Sequence, residues 1–474
     1  MKTTIMYDSE QLDLDVSENE SEFYKIISEK LVEISNITPN ADVDIETALG
    51  NARYSLGLRS GTLLIREISN NIKLNPSVYN KCYLVCVNSQ KNNYKFYQLE
   101  DKGNEVLATY GRIGAQKGEM YGQRSYSYPK HMYWIKYREK TSKGYIDKSD
   151  VYLSDKESSS SKVESAIPLT ATESNASEYL YRKLYAFAKH TYESTCVASV
   201  VTEKMVKESK KILNKMYNRK TVKGFNTQLL ELLQIAPRKV IKVANLLAND
   251  VSDFAKIIAR EENLICAMEV LIPKTAKTKK SNNTTHSFDN NEIEVYIATD
   301  KQKAQVLSNL DDTLKGRVKN IFRVINKKQQ KKFNTYLTNN NITKVKQLWH
   351  GSRNENWASI ITNGLLLHPN AKITGKMFGD GIYFAPSSRK SWGYTSYRDA
   401  YWTKGDSDTA FMGLYATAYG NPLDVYSSYR YTQEIIKSKA ANCVHAHAGQ
   451  YLRNDEIVFY SESAITLNYI VEFQ

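Results

Sequence analysis

The sequence predicts an α+β multidomain chain: a C-terminal domain with a mixed or antiparallel sheet, preceded by an α-helical bundle and a small β-sheet module. Three observations predict it. The chain has 474 residues, more than one hydrophobic core ordinarily serves. From residue 291 onward strand and helix signals alternate, and strands dominate the end, the pattern of helices laid on a large antiparallel sheet. Upstream, short β-branched and aromatic runs at 76–152 sit between two stretches of helical periodicity, so that a sheet module interrupts helical sequence.

Bulk properties narrow the function classes. Hydrophobic residues make up 41% and charged residues 24%, as in globular proteins. No apolar run approaches the ~20 residues a membrane-spanning helix needs, and the N-terminus lacks the apolar core of a secretory signal, so no membrane partner is expected. The five cysteines, Cys82, Cys86, Cys196, Cys266 and Cys443, are odd in number and scattered. A disulfide framework and a zinc cluster are therefore not expected, and a reducing intracellular compartment is. Net charge is +14 and unevenly placed: 12 acidic against 3 basic residues in 1–50, but 13 basic against 7 acidic in 81–150 and 11 against 4 in 201–250. Such local basic excess suits a polyanion, nucleic acid first, and equally a solubilising surface.

The elements follow in order. Residues 1–75 form an acidic, mainly helical N-terminal segment of unknown role. Phe23, Ile26, Ile27, Leu31 and Ile34 fall at helical spacing after Ser21, and a second apolar series follows at 56–68. In 76–152, Tyr83–Val87, Tyr94–Leu99 and Val106–Tyr110 are strand signals, the first two separated by a Lys91-Asn92-Asn93 turn. A helix is expected over Tyr133–Lys140. Residues 153–177 are a Ser-rich linker, too polar to pack. Residues 178–275 are helical: one helix at Tyr179–Ala188, one carrying Met205, Ile212, Leu213 and Met216, a third at Leu229–Leu233 that Pro237 stops, and Leu264–Ile272. Residues 274–290 read as a loop. In 291–474, strands are expected at Arg317–Ile325, Lys346–His350, Gly381–Ala385, Leu414–Tyr419, Glu456–Tyr460 and Leu467–Glu472, with a helix at Asn356–Asn363 ended by Gly364.

The module at 76–152 is similar to the WGR domain of DNA-dependent poly(ADP-ribose) polymerases. The residues that carry the resemblance are Tyr94–Glu100, Tyr110-Gly111-Arg112-Ile113-Gly114 and Tyr137–Thr141, with Tyr110 where the family has tryptophan. It implies that Tyr110 and Arg112 meet DNA nicks or ends and neighbouring domains, Tyr110 by stacking and Arg112 by pairing with phosphate or carboxylate.

Three pieces of the C-terminal domain carry chemistry: Leu348–Arg353, Thr374–Ala385 and Asn454–Tyr460. Together they bring an imidazole, a phenol and a carboxylate onto or beside strands. Taken singly, His350 reads as a packed strand-end histidine, Tyr383 as core and Glu456 as a strand-edge charge. With Asn363-Gly364-Leu365, Ser391-Trp392-Gly393-Tyr394 and Gly420-Asn421-Pro422, the stretch from about Val318 onward resembles the catalytic ADP-ribosyltransferase domain of the poly(ADP-ribose) polymerases. The resemblance implies the ADP-ribosyltransferase fold over 291–474, with NAD as substrate and no metal. It further implies that Tyr383 and Tyr394 stack on nicotinamide, that Gly351 and Ser391 clamp its amide, that His350 holds a ribose, and that Ser352 and Met377 belong to the NAD-binding motifs. Counting back from Leu467-Asn468-Tyr469 without a gap places the catalytic glutamate on Glu456 and not on Asp455.

Glu456 and the acceptor-side Met377-Phe378 resemble polymer-forming members. The helices of 178–275 resemble the domain that restrains NAD access until DNA binds. The expected function is therefore DNA-break-responsive poly-ADP-ribosyl transfer to protein acceptors, the enzyme itself included, in a nuclear or otherwise DNA-associated setting. The alternatives are a mono-ADP-ribosyltransferase and a non-catalytic DNA-binding scaffold with a vestigial NAD fold. Leu366 stands where DNA-responsive members often carry arginine, and Cys443, His445 and His447 read as loop residues and not as metal ligands.

Overall fold

The computed structural model describes residues 81–115, 121–129, 132–153, 168, 170–197, 201–272, 287–288, 291–367 and 377–474, together with the backbone of 2–7, 10–15 and 43–44. Its residues group into two compact units, Met1–Glu157 with Leu233–Asn245, and Ser158–Leu232 with Leu246–Gln474.

In the first unit the described part of 1–75 is strand and not helix: Lys2–Tyr7 pairs antiparallel with Glu10–Asp15, and Val43–Asp44 adds a third strand. The sequence hides this: Lys2–Tyr7 has no polar–apolar alternation, and the acidic residues of Glu10–Asp15 alternate only with Leu12 and Leu14. The helices expected around 21–34 and 56–68 lie outside the described residues.

The second sheet of this unit has five antiparallel strands in the order Arg124–Pro129, Glu105–Arg112, Asn93–Asp101, Lys81–Asn88, Ile146–Asp147. Alternate residues Cys82, Leu84, Tyr97, Leu99, Val106 and Ala108 are buried with Tyr133 of the helix Met132–Ser142, the period of a half-covered sheet. Asn92 takes the left-handed turn conformation, φ 45°, which asparagine tolerates. The segment 233–245 joins the same unit: the Tyr94 hydroxyl accepts from Arg238 N at 2.5 Å, and the Tyr152 hydroxyl donates to Gln234 O at 2.8 Å.

The second unit holds the helices Ala176–Thr195, Glu203–Tyr217 and Asp253–Leu271 and two sheets. The Thr202 hydroxyl caps Glu203–Tyr217 by accepting from Met205 N at 3.1 Å, the standard relief for an unpaired first-turn donor. Ala176, Tyr179, Leu180 and Leu184 share a core with Phe288, Ile293, Phe322 and Ile470. In the helical domain expected at 178–275, the helices Ala176–Thr195, Glu203–Tyr217 and Asp253–Leu271 group with the two sheets of the second unit. Its first helix is laid into the core of the sheet, because its apolar face needs that surface for burial.

Among the described residues of this unit, the large antiparallel sheet is accompanied by a second, smaller one. The larger is antiparallel, in the order Lys346–Gly351, Ala410–Thr417, Ile465–Phe473, Val318–Asn326, Ile293–Ile297. Every residue of Ala410–Thr417 is buried, with Phe411 and Tyr415 in one core and Ala410, Met412 and Leu414 in the core on the other face. Ile465–Phe473, buried but for Asn468, likewise feeds both cores across a register shift opposite Leu414/Tyr415. The smaller sheet runs Ile382–Phe384, Glu456–Phe459, Cys443–Ala446, Pro422–Val425, its last pair parallel. Cys443, His445 and His447 are therefore on or beside a strand, not in a loop. A run of four residues with polar His445 inside it gives too weak a period to read. The two sheets are stitched by Trp349 and Ala385, whose backbones exchange hydrogen bonds of 2.9 and 3.0 Å.

Candidate active site

That stitch places His350 beside Tyr383. His350 Nδ1 lies 3.0 Å from the Tyr383 carbonyl. A carbonyl only accepts, so Nδ1 carries the proton and Nε2 keeps its lone pair. Phe384, Tyr415 and Trp357 surround the ring at centroid distances of 5.6, 6.1 and 6.4 Å. This burial holds the imidazole below its ordinary pKa, with the Tyr383 carbonyl acting in the opposite sense. His350 is thus a neutral acceptor at Nε2, suited to a sugar hydroxyl.

The Tyr383 hydroxyl donates to Gly379 O at 2.7 Å and accepts from Phe378 N at 3.1 Å. Burial pushes its phenol up, with Glu456 adding to the effect. These bonds fix the turn that follows Met377, which packs with Tyr383 in one apolar cluster. Gly379 has φ 87°, and a side chain there would also meet the Tyr431 carbonyl. Beside the turn, Asp380 pairs with Arg430 at 2.5 Å.

Gly351 ends the strand Lys346–Gly351 and lies against the short helix Ser388–Trp392. A Cβ at 351 would run into the Ser391 carbonyl and touch the Tyr394 Cβ, so only glycine allows this approach. The Ser391 side chain is buried, whereas Tyr394 is 41% exposed and stacks on Trp402 at 6.2 Å and 22°. Burial raises the Tyr394 phenol, and Glu456 raises it further. The Ser352 hydroxyl accepts from Asn356 Nδ2 at 3.0 Å, and Asn356 also donates to Asn263 of the helix Asp253–Leu271 at 2.9 Å.

Glu456 opens the strand Glu456–Phe459. Its Oε1 lies 2.8 Å from Lys390 Nζ, which also donates to Asn454 O at 2.9 Å. The neighbouring Asp455 turns instead to His445, at 2.9 Å. His350, Gly351, Tyr383, Ser391, Tyr394 and Glu456 are thereby brought to the seam between the two sheets. The arrangement offers a neutral sugar-hydroxyl acceptor, aromatic faces for a flat ring, a close backbone approach and a carboxylate held by a cation. Sequence reasoning missed Lys390 and Trp402. Lys390 stands beside Ser391, yet a lysine there reads as surface, and nothing local pairs it with residue 456.

Tyr110 and Arg112 lie in the other unit. Tyr110 stacks on Tyr97 at 5.5 Å and 19°. The Arg112 guanidinium donates to Asn92 O at 2.9 Å and to Ile241 O at 2.5 Å. It is engaged by backbone carbonyls, where the sequence suggested phosphate or carboxylate. Exposed Lys91, Lys95, Tyr121, Arg124 and Tyr126 surround this edge.

Comparison with known proteins adds to the geometry. Residues 287–442 match the poly(ADP-ribose) polymerase catalytic domain family, and residues 80–151 match the WGR domain family. A poly(ADP-ribose) polymerase-like protein (100L) of Invertebrate iridescent virus 6 is 28% identical over 160 residues, 32% of this chain and 83% of the viral protein. Poly(ADP-ribose) polymerase 2 of Homo sapiens is 58% identical over 48 residues, 10% of this chain and 8% of the human protein. Poly(ADP-ribose) polymerase 2-A of Oryza sativa subsp. japonica is 37% identical over 103 residues, 22% of this chain and 14% of the rice protein. The chain thus spans most of the viral relative but only a small part of the human and rice ones. Among the described residues no helix is long and apolar enough to cross a membrane.

Proposed function

We propose that this chain, which carries the WGR and catalytic domains of the poly(ADP-ribose) polymerase family, transfers ADP-ribose from NAD to protein acceptors, itself included, and releases nicotinamide. The observation that carries this reading is the Lys390–Glu456 pair, 2.8 Å apart, at the seam that also holds His350, Gly351, Ser391 and the two tyrosines. In the reaction the bond between nicotinamide nitrogen and ribose C1′ breaks, and its electrons leave with the ring. C1′ passes through an oxocarbenium-like state. Glu456 stabilises that positive charge, and Lys390 fixes the carboxylate toward it. The acceptor oxygen then bonds to C1′ while its proton moves toward Glu456. His350 Nε2 accepts a ribose hydroxyl. Gly351 and Ser391 hold the amide, Tyr383 and Tyr394 stack on the ring, and Ser352 and Met377 border the pocket.

Glu456 and the Met377-Phe378 acceptor side support polymer formation over single-unit transfer. The WGR match and the exposed basic and aromatic residues around Arg112 support DNA as partner, and with it a nuclear or DNA-associated location. The hydrogen-bonded chain Asn263–Asn356–Ser352 supports restraint of the pocket by the helix Asp253–Leu271, which DNA binding would relieve.

An automodification assay with labelled NAD, run with and without nicked or broken DNA and resolved on a gel, tests the whole reading. A ladder of long products that grows with DNA is expected. Single-unit products establish the mono-transferase alternative, equal activity without DNA removes the regulatory part, and failure to consume NAD establishes the scaffold.

A further inference from the structure

We propose that Asp424, His445 and His447 form a binding site for one divalent transition-metal ion, zinc foremost, behind the strand that carries Glu456. Asp424 lies on Pro422–Val425, in register with His445 on the parallel strand Cys443–Ala446. His447 stays in line because its N–H donates to Val425 O at 2.9 Å. On the antiparallel neighbour, Ile457 faces His445, and Ala446 faces Glu456. Side chains alternate along strands. Asp424, His445, His447 and Asp455 therefore share one face of this sheet, and Glu456 points from the other.

The imidazoles of His445 and His447 stack at 4.0 Å and 29° between two carboxylates. On one side, Asp424 Oδ1 is 2.7 Å from His447 Nε2 and 3.6 Å from His445 Nδ1. On the other, Asp455 Oδ2 is 2.9 Å from His445 Nε2 and 3.7 Å from His447 Nδ1. One donor atom from each of Asp424, His445 and His447 lies within 4.8 Å of the other two. Ligands of a tetrahedral zinc ion, with bonds of about 2.0–2.1 Å, stand roughly 3.3 Å apart. Closure therefore needs only small side-chain shifts, and the exposed Asp424 is free to make them.

Asp455 completes the arrangement. It accepts the Nε2–H of His445, which leaves the Nδ1 lone pair directed at the Asp424 side. A carboxylate behind the imidazole is the usual brace of a metal-binding histidine. Asp455 is itself braced by Ala448 N at 2.8 Å. The Tyr419 hydroxyl donates to His445 Nδ1 at 2.8 Å, and this is the bond the metal replaces. Tyr426 covers His447, stacked at 4.9 Å and 17°. Two imidazoles and one carboxylate suit zinc and its first-row neighbours, whereas magnesium and calcium prefer all-oxygen sites. Cys443 is not a ligand, since its thiol faces Tyr419 O. Bound metal would hold Asp455 in place and so steady the start of the strand at Glu456.

The test uses the full chain, stripped with chelator and titrated with Zn2+ by calorimetry and equilibrium dialysis. One equivalent should bind, Tm should rise, and Co2+ should give a visible d–d spectrum. Asp424→Asn and His447→Ala should each lose the equivalent, while their Tm in chelator stays near that of wild type in chelator. Asp455→Asn should keep the site but bind about 10–100-fold more weakly. No zinc uptake by the wild-type chain, or full uptake by both ligand variants, overturns the proposal. If a ligand variant fails to fold, the Co2+ spectrum of the wild-type chain decides, because the absence of a d–d band also overturns it. None of these readouts depends on ADP-ribosyl transfer, so the site and the proposed reaction stand or fall separately.

Discussion

Lys390 Nζ and Glu456 Oε1 are 2.8 Å apart, although they stand 66 positions apart in the chain. The pair joins the helix Ser388–Trp392 to the first residue of the strand Glu456–Phe459, and it leaves the carboxylate on the side of Tyr383 and Tyr394. Glu456→Gln keeps the shape but removes the charge. Transfer from labelled NAD should fall by about 10²–10⁴-fold with Tm little changed. Lys390→Met should cost about 100-fold in kcat through misplacement of the carboxylate. An E456Q protein as fast as wild type would refute the assignment.

Gly351→Ala tests the close approach to Ser391. The new methyl meets a backbone carbonyl that cannot swing aside. Stability should drop by about 1–3 kcal/mol from overpacking, and KM for NAD should rise because the strand and the short helix are pushed apart. Urea melts and initial rates measure the two effects; an unchanged KM would remove Gly351 from the pocket.

His350 gives a pH dependence with a defined sign. Burial lowers its folded pKa below the ordinary 6.5. As pH falls through that value the unfolded chain takes up the proton first, so its contribution is complete above about pH 6.5 and declines below it. Between about pH 7.5 and 5.5, wild type should lose more stability than His350→Gln, measured as the shift in urea midpoint. Parallel pH profiles for the two proteins would show that the ring is not held neutral by its surroundings.

Glu472 is fully buried, where it meets Lys183, accepts from the Tyr179 hydroxyl at 3.1 Å and accepts from Asn320 Nδ2 at 2.7 Å. Lys183→Met leaves that carboxylate without its cation and should destabilise the unit by about 3–5 kcal/mol. The double variant Lys183→Met, Glu472→Leu should recover much of the loss, because an apolar pair replaces the buried charges. Chemical denaturation of the four proteins completes the cycle. Additive losses would show that Lys183 and Glu472 act independently.

Strands with an apolar alternation were legible in the sequence. Lys81–Asn88 buries Cys82, Leu84 and Cys86, and Asn93–Asp101 buries Tyr97 and Leu99, and Gly364, φ 87°, ends its helix at the expected position. Arg124–Pro129 was not legible: it lies at the edge of its sheet with almost every residue exposed, so no face selects apolar side chains. The division of the C-terminal strands into two sheets was also hidden, because long-range pairing such as Trp349 with Ala385 leaves no local pattern. In the site, His350, Tyr383 and Glu456 could be picked from motifs. Lys390 could not, since its role comes from a partner far along the chain. His445 and His447 stood out in the sequence but read as loop residues, because their strand is short, and Asp424, in register with His445, needs the parallel pairing to be noticed at all.

The strand Ile465–Phe473 lies at the centre of the larger sheet, between Ala410–Thr417 and Val318–Asn326. During synthesis those two neighbours leave the ribosome well before the strand that will separate them. Until residues 465–473 emerge, both present bare apolar edges that seek other partners. A nascent chain stalled before residue 465 should therefore associate with chaperones or aggregate, and the sheet on which the pocket rests can only close after that stretch has been made.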